Sequence, residues 1–370
     1  MSKIYDTIII GAGIAGASTA YALEKKGQDV LVLDKRGIAA GGSGAAGAFV
    51  SPKIGKGSPL QKLTNEAFEY AKDFYLSTCP AYFLQTGVVR IPKNEEDAQK
   101  FSSYEPYNDN KYENYTKKDL EQVGIKSEFK SFYFPEAGVC EAQALCKYLL
   151  TNIEVAEYEV KEINQENEVW SVGEYRARNL ILATGFESDL ADLHYMGIRG
   201  TWGTRGDFSS SHTLDVSMHQ SMSVSANVNG IIKLGATHEK EVKEVIPCKE
   251  EHALLLKEKA SSMIDTSDLQ LKEIFCGMRS GSKDYFPLVG KVIDVPFMFE
   301  NYPAITRGAK PKLKYVDNLF ICNGLGGRGF VFAPLMAKIL AESIVEGKEI
   351  DLRVNPDRLF LKWARKLDHL

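Results

Sequence analysis

The chain has 370 residues, a formal net charge of −4, 44% hydrophobic residues and 25% charged ones. That length suggests two domains or one elaborate one, and the composition is that of a soluble globular protein. The near-neutral balance excludes a generally basic surface, so a nucleic-acid or membrane partner would have to be met by a local patch. No apolar run reaches membrane-spanning length, and the first strand starts too soon after Met1 to leave room for a signal peptide. Six scattered cysteines (Cys79, Cys140, Cys146, Cys248, Cys276, Cys322) without a CxxC pair read as buried thiols in a reducing cytoplasm, and six dispersed histidines form no metal set.

A short apolar strand, Thr7 to Ile10, runs into Gly11-Ala12-Gly13-Ile14-Ala15-Gly16, and an amphipathic helix follows to Lys26. A second apolar strand, Val30 to Leu33, closes on Asp34 and Lys35. This is the strand, turn, helix, strand, acid order of a dinucleotide-binding unit. Gly11 permits the tight turn, Gly13 lets backbone approach a pyrophosphate, and Gly16 lets the helix pack on the strand. The helix start attracts phosphate and Asp34 would accept ribose hydroxyls. NAD and FAD both remain open at this point.

Next comes Gly41 to Gly47, a run so rich in glycine and alanine that it reads as backbone packed against something flat, with Gly42, Ser43, Ala45, Ala46 and Gly47 as candidate cofactor contacts. A helix is predicted over Pro59 to Tyr75 and a strand over Val88 to Ile91, while residues 93 to 130 read as peripheral loops with one short helix. Ala142 to Leu150 is a compact helix. Val155 to Val160, Val169 to Val172 and Asn179 to Leu182 alternate like strands and end at Ala183-Thr184-Gly185, where the glycine allows close approach to a cofactor. From Arg199 to Arg279 the pattern becomes longer alternating strands with a hairpin signal at Asn227 to Gly230 and one helix near Glu250 to Met263, as in a mostly antiparallel domain. The nucleotide fold then resumes. Asn318 to Cys322 is a buried strand, and Gly324, Gly326, Gly327, Arg328, Gly329 and Phe330 lead to Pro334, after which a helix runs to about Glu346. NAD alone does not explain this second glycine-rich turn. A helix start there would face the electron-rich edge of a flavin.

The expected architecture is α/β: a Rossmann-type FAD-binding domain over 1–85, 138–195 and 277–370, and a mostly antiparallel α+β substrate domain over 86–137 and 196–276. The N-terminal fingerprint, Ala183-Thr184-Gly185, Arg199-Gly200, the strand Ile231 to Thr237, Gly277-Met278-Arg279 and the segment Gly324 to Pro334 together resemble the D-amino-acid-oxidase-type flavoproteins, whose fold is also called glutathione-reductase-2-like. That class includes glycine, sarcosine and D-amino-acid oxidases. Within it, Gly42 to Lys53, Arg279 to Gly290 and Asn355 to Leu359 are similar to the oxidoreductase half of the bifunctional tRNA wobble-uridine enzymes of the MnmC group.

The resemblance implies noncovalent FAD and hydride transfer from a carbon bearing an amine to flavin N5, followed by hydrolysis of the imine. On the carboxymethylaminomethyl group of tRNA wobble uridine the products would be aminomethyl and glyoxylate. The alternatives are a small-molecule glycine, sarcosine or D-amino-acid oxidase and a noncatalytic flavin-binding protein. Lacking the methyltransferase domain of the bifunctional enzymes, the chain reads as a stand-alone oxidase with tRNA or a small amine as substrate and a separate methyltransferase as a further partner, in the cytoplasm and away from membranes. Arg279 matches the carboxylate-binding arginine of glycine oxidases; the bland alternative is an ion pair with Asp284. Lys283 and Tyr285 are further candidates for the same pocket. Arg328 is read as a charge near the flavin or a surface residue, Arg199 as an ion-paired residue between domains, Val160 as a backbone contact to adenine or a core valine, and Cys276 as an inert thiol or a point of flavin attachment. A basic rim for tRNA would come from Arg307 to Lys314 and from Arg353, Arg358, Lys362, Arg365 and Lys366.

Overall fold

A computed structural model describes residues 3–367 apart from Ser188, Lys240, Glu241 and Lys243. Two eight-stranded sheets organise it, with a small three-stranded sheet beside them. The first is built on parallel strands: Ile4–Ile10 lies between Val30–Asp34 and Tyr175–Leu182, and the last three residues of Tyr175–Leu182 pair with Tyr315–Asn323. Ile8, Ile9, Leu31, Val32, Leu180 and Ile181 are fully buried. Their near-continuous apolar runs are what a parallel sheet covered on both faces requires. The helices Ile14–Glu24 and Gly329–Glu346 pack together over one face, while Asp357–Leu367 contributes Leu359, Phe360 and Ala364 to the core on the other. Ile10 pairs with both Leu33 and Leu182, so Gly11, Asp34 and Ala183 leave the sheet at one edge, where open α/β sheets bind ligands.

The second sheet runs in the order Gln270–Gly281, Arg199–Ser209, Ile231–Gly235, Ser223–Val224, Ser217–His219, Val88–Arg90, Ser131–Phe134 and Glu113–Tyr115. Every pairing is antiparallel except Ser217–His219 against Val88–Arg90. The helix Glu250–Ala260 covers its outer face through Ala253, Leu256 and Ala260. At the expected hairpin Asn229 and Gly230 have φ of 52° and 79°, the two positive values of a type I′ turn, and Val228 and Ile231 bond across it.

Several expectations need correction. The strand Gln270–Gly281 crosses residue 277 without a break and stays in the second sheet to Gly281, because it pairs with Arg199–Ser209 throughout. Residues 93–130 hold two short helices, Glu95–Ser102 and Lys117–Gln122, each started by a side-chain cap from Asn94 or Thr116. The strand predicted to reach Val160 ends at Glu157. The last long helix begins at Gly329 and contains Pro334, where a helix start was expected after that proline. Proline has no N–H to give the carbonyl four residues back, which is that of Phe330. The fully buried Tyr75 hydroxyl donates to that carbonyl at 2.8 Å instead.

Candidate active site

A cavity of about 650 Å³ opens where the carboxyl edge of the first sheet meets the inner face of the second. One end is lined by Asp34, Lys35 and Val160; the middle by Gly11, Gly13, Ile14, Ala15, Ala183, Thr184 and Gly185 and by Gly42, Ser43, Ala45, Ala46 and Gly47; the far end by Gly326, Gly327, Gly329, Phe330 and Arg279. Gly16, Gly324 and Arg328 are not in the lining. Gly16 acts through packing, since a Cβ there would lie 1.8 Å from the Gly11 carbonyl oxygen. Gly324, with φ of 70°, turns the chain out of the strand Tyr315–Asn323.

Local hydrogen bonds set the shape of the nucleotide end. Asp34 accepts from Ala12 N at 2.8 Å and from Arg36 N at 2.9 Å, and Ser43 Oγ accepts from Ile14 N at 2.9 Å. The flat partner of the small-residue loop is the backbone of Gly277 and Met278: a Cβ on Gly42 would lie 2.4 Å from Met278 O, and one on Gly277 2.8 Å from Ala45 Cβ. Arg205, only 5% exposed, clamps the same loop. Its Nη1 donates to Gly44 O at 3.4 Å and to Ala46 O, its Nε to Asp207 Oδ1 at 2.8 Å, and it stacks on Phe275. The sequence signal for this clamp was an arginine and an aspartate two apart on a strand, hence on one face.

At the far end Arg279 Nη1 donates to Thr237 O at 3.1 Å, and no acid within ion-pairing distance holds the guanidinium among the described residues. Burial alone pushes its pKa down. The alternative partner, Asp284, is taken by Arg358 at 2.8 and 2.9 Å. Gly203 makes room for the guanidinium, because a Cβ there would lie 2.5 Å from Arg279 Nη2. Lys233, His219 and His238 also line the cavity and were missed. Lys233 donates to Glu141 Oε1 at 2.9 Å. It was legible in principle, because Ile232 and Leu234 are buried on the outer face and the residue between them points inward. His219 Nδ1 lies 2.8 Å from Ser223 Oγ, and nothing in the local sequence marks it.

Lys283 and Tyr285 are outside the cavity, contrary to expectation. Asp284 accepts from Ser282 Oγ and Phe286 N as well as from Arg358, and this ties the turn so that Tyr285 is thrown outward, 74% exposed. Lys283 sits instead among Lys366, Arg199 and Lys362, whose charges lower its pKa. Cys276 lines the cavity, but it is bonded to Cys248 and is not the free thiol expected. Cys248 lies 28 residues away with no motif spacing, so the pairing left no sequence signature. Arg307 to Lys314 precede Tyr315, at the opposite end of its strand from the cavity, and do not form its rim. Arg353 and Arg358 are committed to Glu66, Asp351 and Asp284.

These features fit FAD as an occupant: an elongated cradle whose glycines would meet backbone if given a Cβ, two glycine-rich helix starts, and an acid at the end of the second strand. A family model described as FAD dependent oxidoreductase, DAO, matches residues 6–343. The chain belongs to this DAO family. It is therefore an FAD-dependent oxidoreductase. Among its relatives, the tRNA 5-methylaminomethyl-2-thiouridine biosynthesis bifunctional protein MnmC of Dichelobacter nodosus is 26% identical over 360 residues, covering 90% of this chain and 53% of its own length. The protein of the same name from Campylobacter concisus is 25% identical over 390 residues, covering 97% and 60%. The chain thus spans little more than half the length of these relatives. Glycine oxidase from Bacillus cereus has the same fold, with a TM-score of 0.77, 19% identity, and coverage of 93% and 96%. In this DAO-family chain no described helix is long and apolar enough to cross a membrane.

Proposed function

We propose that this chain oxidises the C–N bond of an N-substituted glycine unit, with Arg279 holding the carboxylate. The observation that carries this reading is a guanidinium in the cavity wall, held by one backbone carbonyl and facing no acid among the described residues. A planar guanidinium grips a carboxylate by two parallel hydrogen bonds, and so fixes which C–H is presented to the acceptor. Bound FAD supplies the two-electron acceptor. Arg279 orients, Gly203 keeps its space, and the backbone carbonyl of Thr237 restrains the guanidinium. Oxidation of the C–N bond gives an imine, and water releases the shorter amine with glyoxylate.

Within that class we infer the carboxymethylaminomethyl group of tRNA wobble uridine as substrate, and with it a separate methyltransferase to complete the modification. Support comes from similarity to the MnmC proteins along nine-tenths of the chain and from the exposed cationic patch of Arg199, Lys283, Lys362 and Lys366. The far-side position of Arg307 to Lys314 removes one source of support. The glycine oxidase fold favours a free amino acid as the second reading. Anaerobic mixing with glycine, sarcosine or tRNA carrying the modification separates them. Bleaching by tRNA alone supports the first reading, and bleaching by free amines supports the second. If nothing bleaches the flavin, the reading as an amine oxidase falls.

A further inference from the structure

The parallel pairing of Ser217–His219 with Val88–Arg90 sets Arg90 beside His219, which lines the cavity. Arg90 is 6% exposed, and its Nη2 donates to Pro52 O at 3.0 Å and to Ser51 Oγ at 3.5 Å. From the other side Arg328, between the cavity-lining Gly327 and Gly329, donates from Nη1 to Ser51 O at 3.2 Å. Lys53, the next residue but one, is half-buried and within electrostatic range of both guanidiniums. Three cationic side chains therefore converge on the segment Ser51 to Lys53.

No acid among the described residues answers them. Among the described residues none of the three makes an ion pair, and no carboxylate influences the pKa of any of them. Arg90 Nε is buried without a hydrogen-bond partner. Burial together with Arg328 pushes Arg90 down to about 9, burial pushes Arg328 to about 10, and burial followed by the two arginines lowers Lys53. Both arginines remain cationic at neutral pH, and buried unpaired charge of one sign is strongly unfavourable. Two other guanidiniums of low exposure are paired, Arg205 with Asp207 and Arg358 with Asp284, whereas Arg279, read above as the glycyl anchor, is not. The cluster lies behind the cavity lining, which holds its neighbours His219, Gly327 and Gly329 but none of its three side chains. Arg279 is close by but separate, since its Cδ would lie 3.8 Å from a Cβ on Gly327.

We propose that Arg90, Arg328 and Lys53 form a second oxyanion site bordering the cavity, which receives a phosphate or carboxylate that the substrate carries in addition to its glycyl carboxylate. The substrate class narrows accordingly to amines with two anionic groups. The proposal rests on the reading of Arg279 as the glycyl anchor. The second oxyanion has two sources, a phosphate of a nucleotide substrate or the second carboxylate of a small iminodiacid.

The binding test uses FAD-loaded protein and inorganic phosphate or malonate as probes, with thermal unfolding followed at constant ionic strength set by chloride. Wild type should gain several degrees with one of the anions. Arg90→Met removes a buried unpaired charge, so in chloride it should be at least as stable as wild type, with its response to the anion weakened tenfold or more. Lys53→Met, at a half-buried position, repeats the test should Arg90→Met fail to fold. A wild-type midpoint indifferent to both anions overturns the proposal, as does a full response retained in the variants. The source is read from kcat/KM. A tenfold or greater loss in Arg90→Met with iminodiacetate assigns the carboxylate, and the same loss with a modified anticodon stem-loop assigns the phosphate. The thermal arm needs no turnover, so it remains decisive for the anion site even if neither amine reduces the flavin and the N-substituted glycine reading fails.

Discussion

Arg279 and Gly203, its diagonal neighbour on the paired strand, show how much of the chemistry turns on single side chains. Arg279→Lys should keep flavin and fold but lose the paired geometry, at about 1.5–3 kcal/mol for a charged hydrogen bond. That is roughly a ten- to hundredfold loss in the rate of flavin reduction per unit of substrate, and Arg279→Ala should lose more. Anaerobic stopped-flow reduction measures both, and an unaltered rate in Arg279→Ala with intact FAD spectrum would remove Arg279 from the site. This residue was legible as the third member of Gly277-Met278-Arg279, but whether Asp284 neutralised it was not, because Arg358 claims Asp284 from 74 residues away. Lys283 and Tyr285 were misplaced for the same reason: besides the local bonds from Ser282 and Phe286, the Asp284 that aims their turn is held by Arg358 from outside it. His219 offers a pH test. Burial, then Arg90 and Arg328, holds its pKa well below the ordinary 6.5, so the native residue is neutral while the unfolded one binds a proton below pH 6.5. The stability it contributes is complete above about pH 6.5 and is lost as pH falls toward the native value, by up to about 1.4 kcal/mol per pH unit. His219→Gln should flatten the fall of the melting temperature between pH 6.5 and 5.5. An identical slope in the variant would assign the acid loss to other groups.

Between elements, the bond from Tyr75 to Phe330 O joins the helix Pro59–Thr78 to the helix Gly329–Glu346 at the carbonyl that Pro334 cannot serve. Tyr75→Phe leaves that carbonyl without its donor and should cost about 1–3 kcal/mol. In a Pro334→Ala background the new N–H can take over the carbonyl, so the same change should cost distinctly less. Equal costs in both backgrounds, measured by urea unfolding, would show that the pair is not coupled. Helix starts with their own caps, such as Ser58 before Pro59, were readable, because Ser58 Oγ accepts from Gln61 N within one turn. The start at Gly329 was not. A proline inside a helix looks like a boundary until a partner from another helix is known to answer it.

At the scale of the whole molecule, the parallel sheet was legible because its strands are apolar throughout and its turns carry glycines with distinct tasks. The limit of the second sheet was not, since Gly277 to Gly281 follow Arg199–Ser209 across the expected boundary. Two sheets meeting over one cavity lead to a prediction about the cofactor. Cys276 is occupied by Cys248, and the free thiols Cys79, Cys140, Cys146 and Cys322 are buried away from the cavity. Acid precipitation should therefore leave all of the yellow chromophore in the supernatant. Colour retained in the pellet would mean covalent attachment, with Cys276, then not joined to Cys248, the first thiol to test. The chain passes between the two large sheets four times before it finishes the first. Ile4–Ile10 finds one neighbour at residue 30 and the other at residue 175, and that neighbour pairs with a strand that ends only at Asn323. As the chain leaves the ribosome, its earliest strand must wait with an apolar edge uncovered until most of the rest has been made. Slow synthesis at low temperature, or a chaperone that shields that edge, should decide the yield of folded protein more than any single contact in the finished fold.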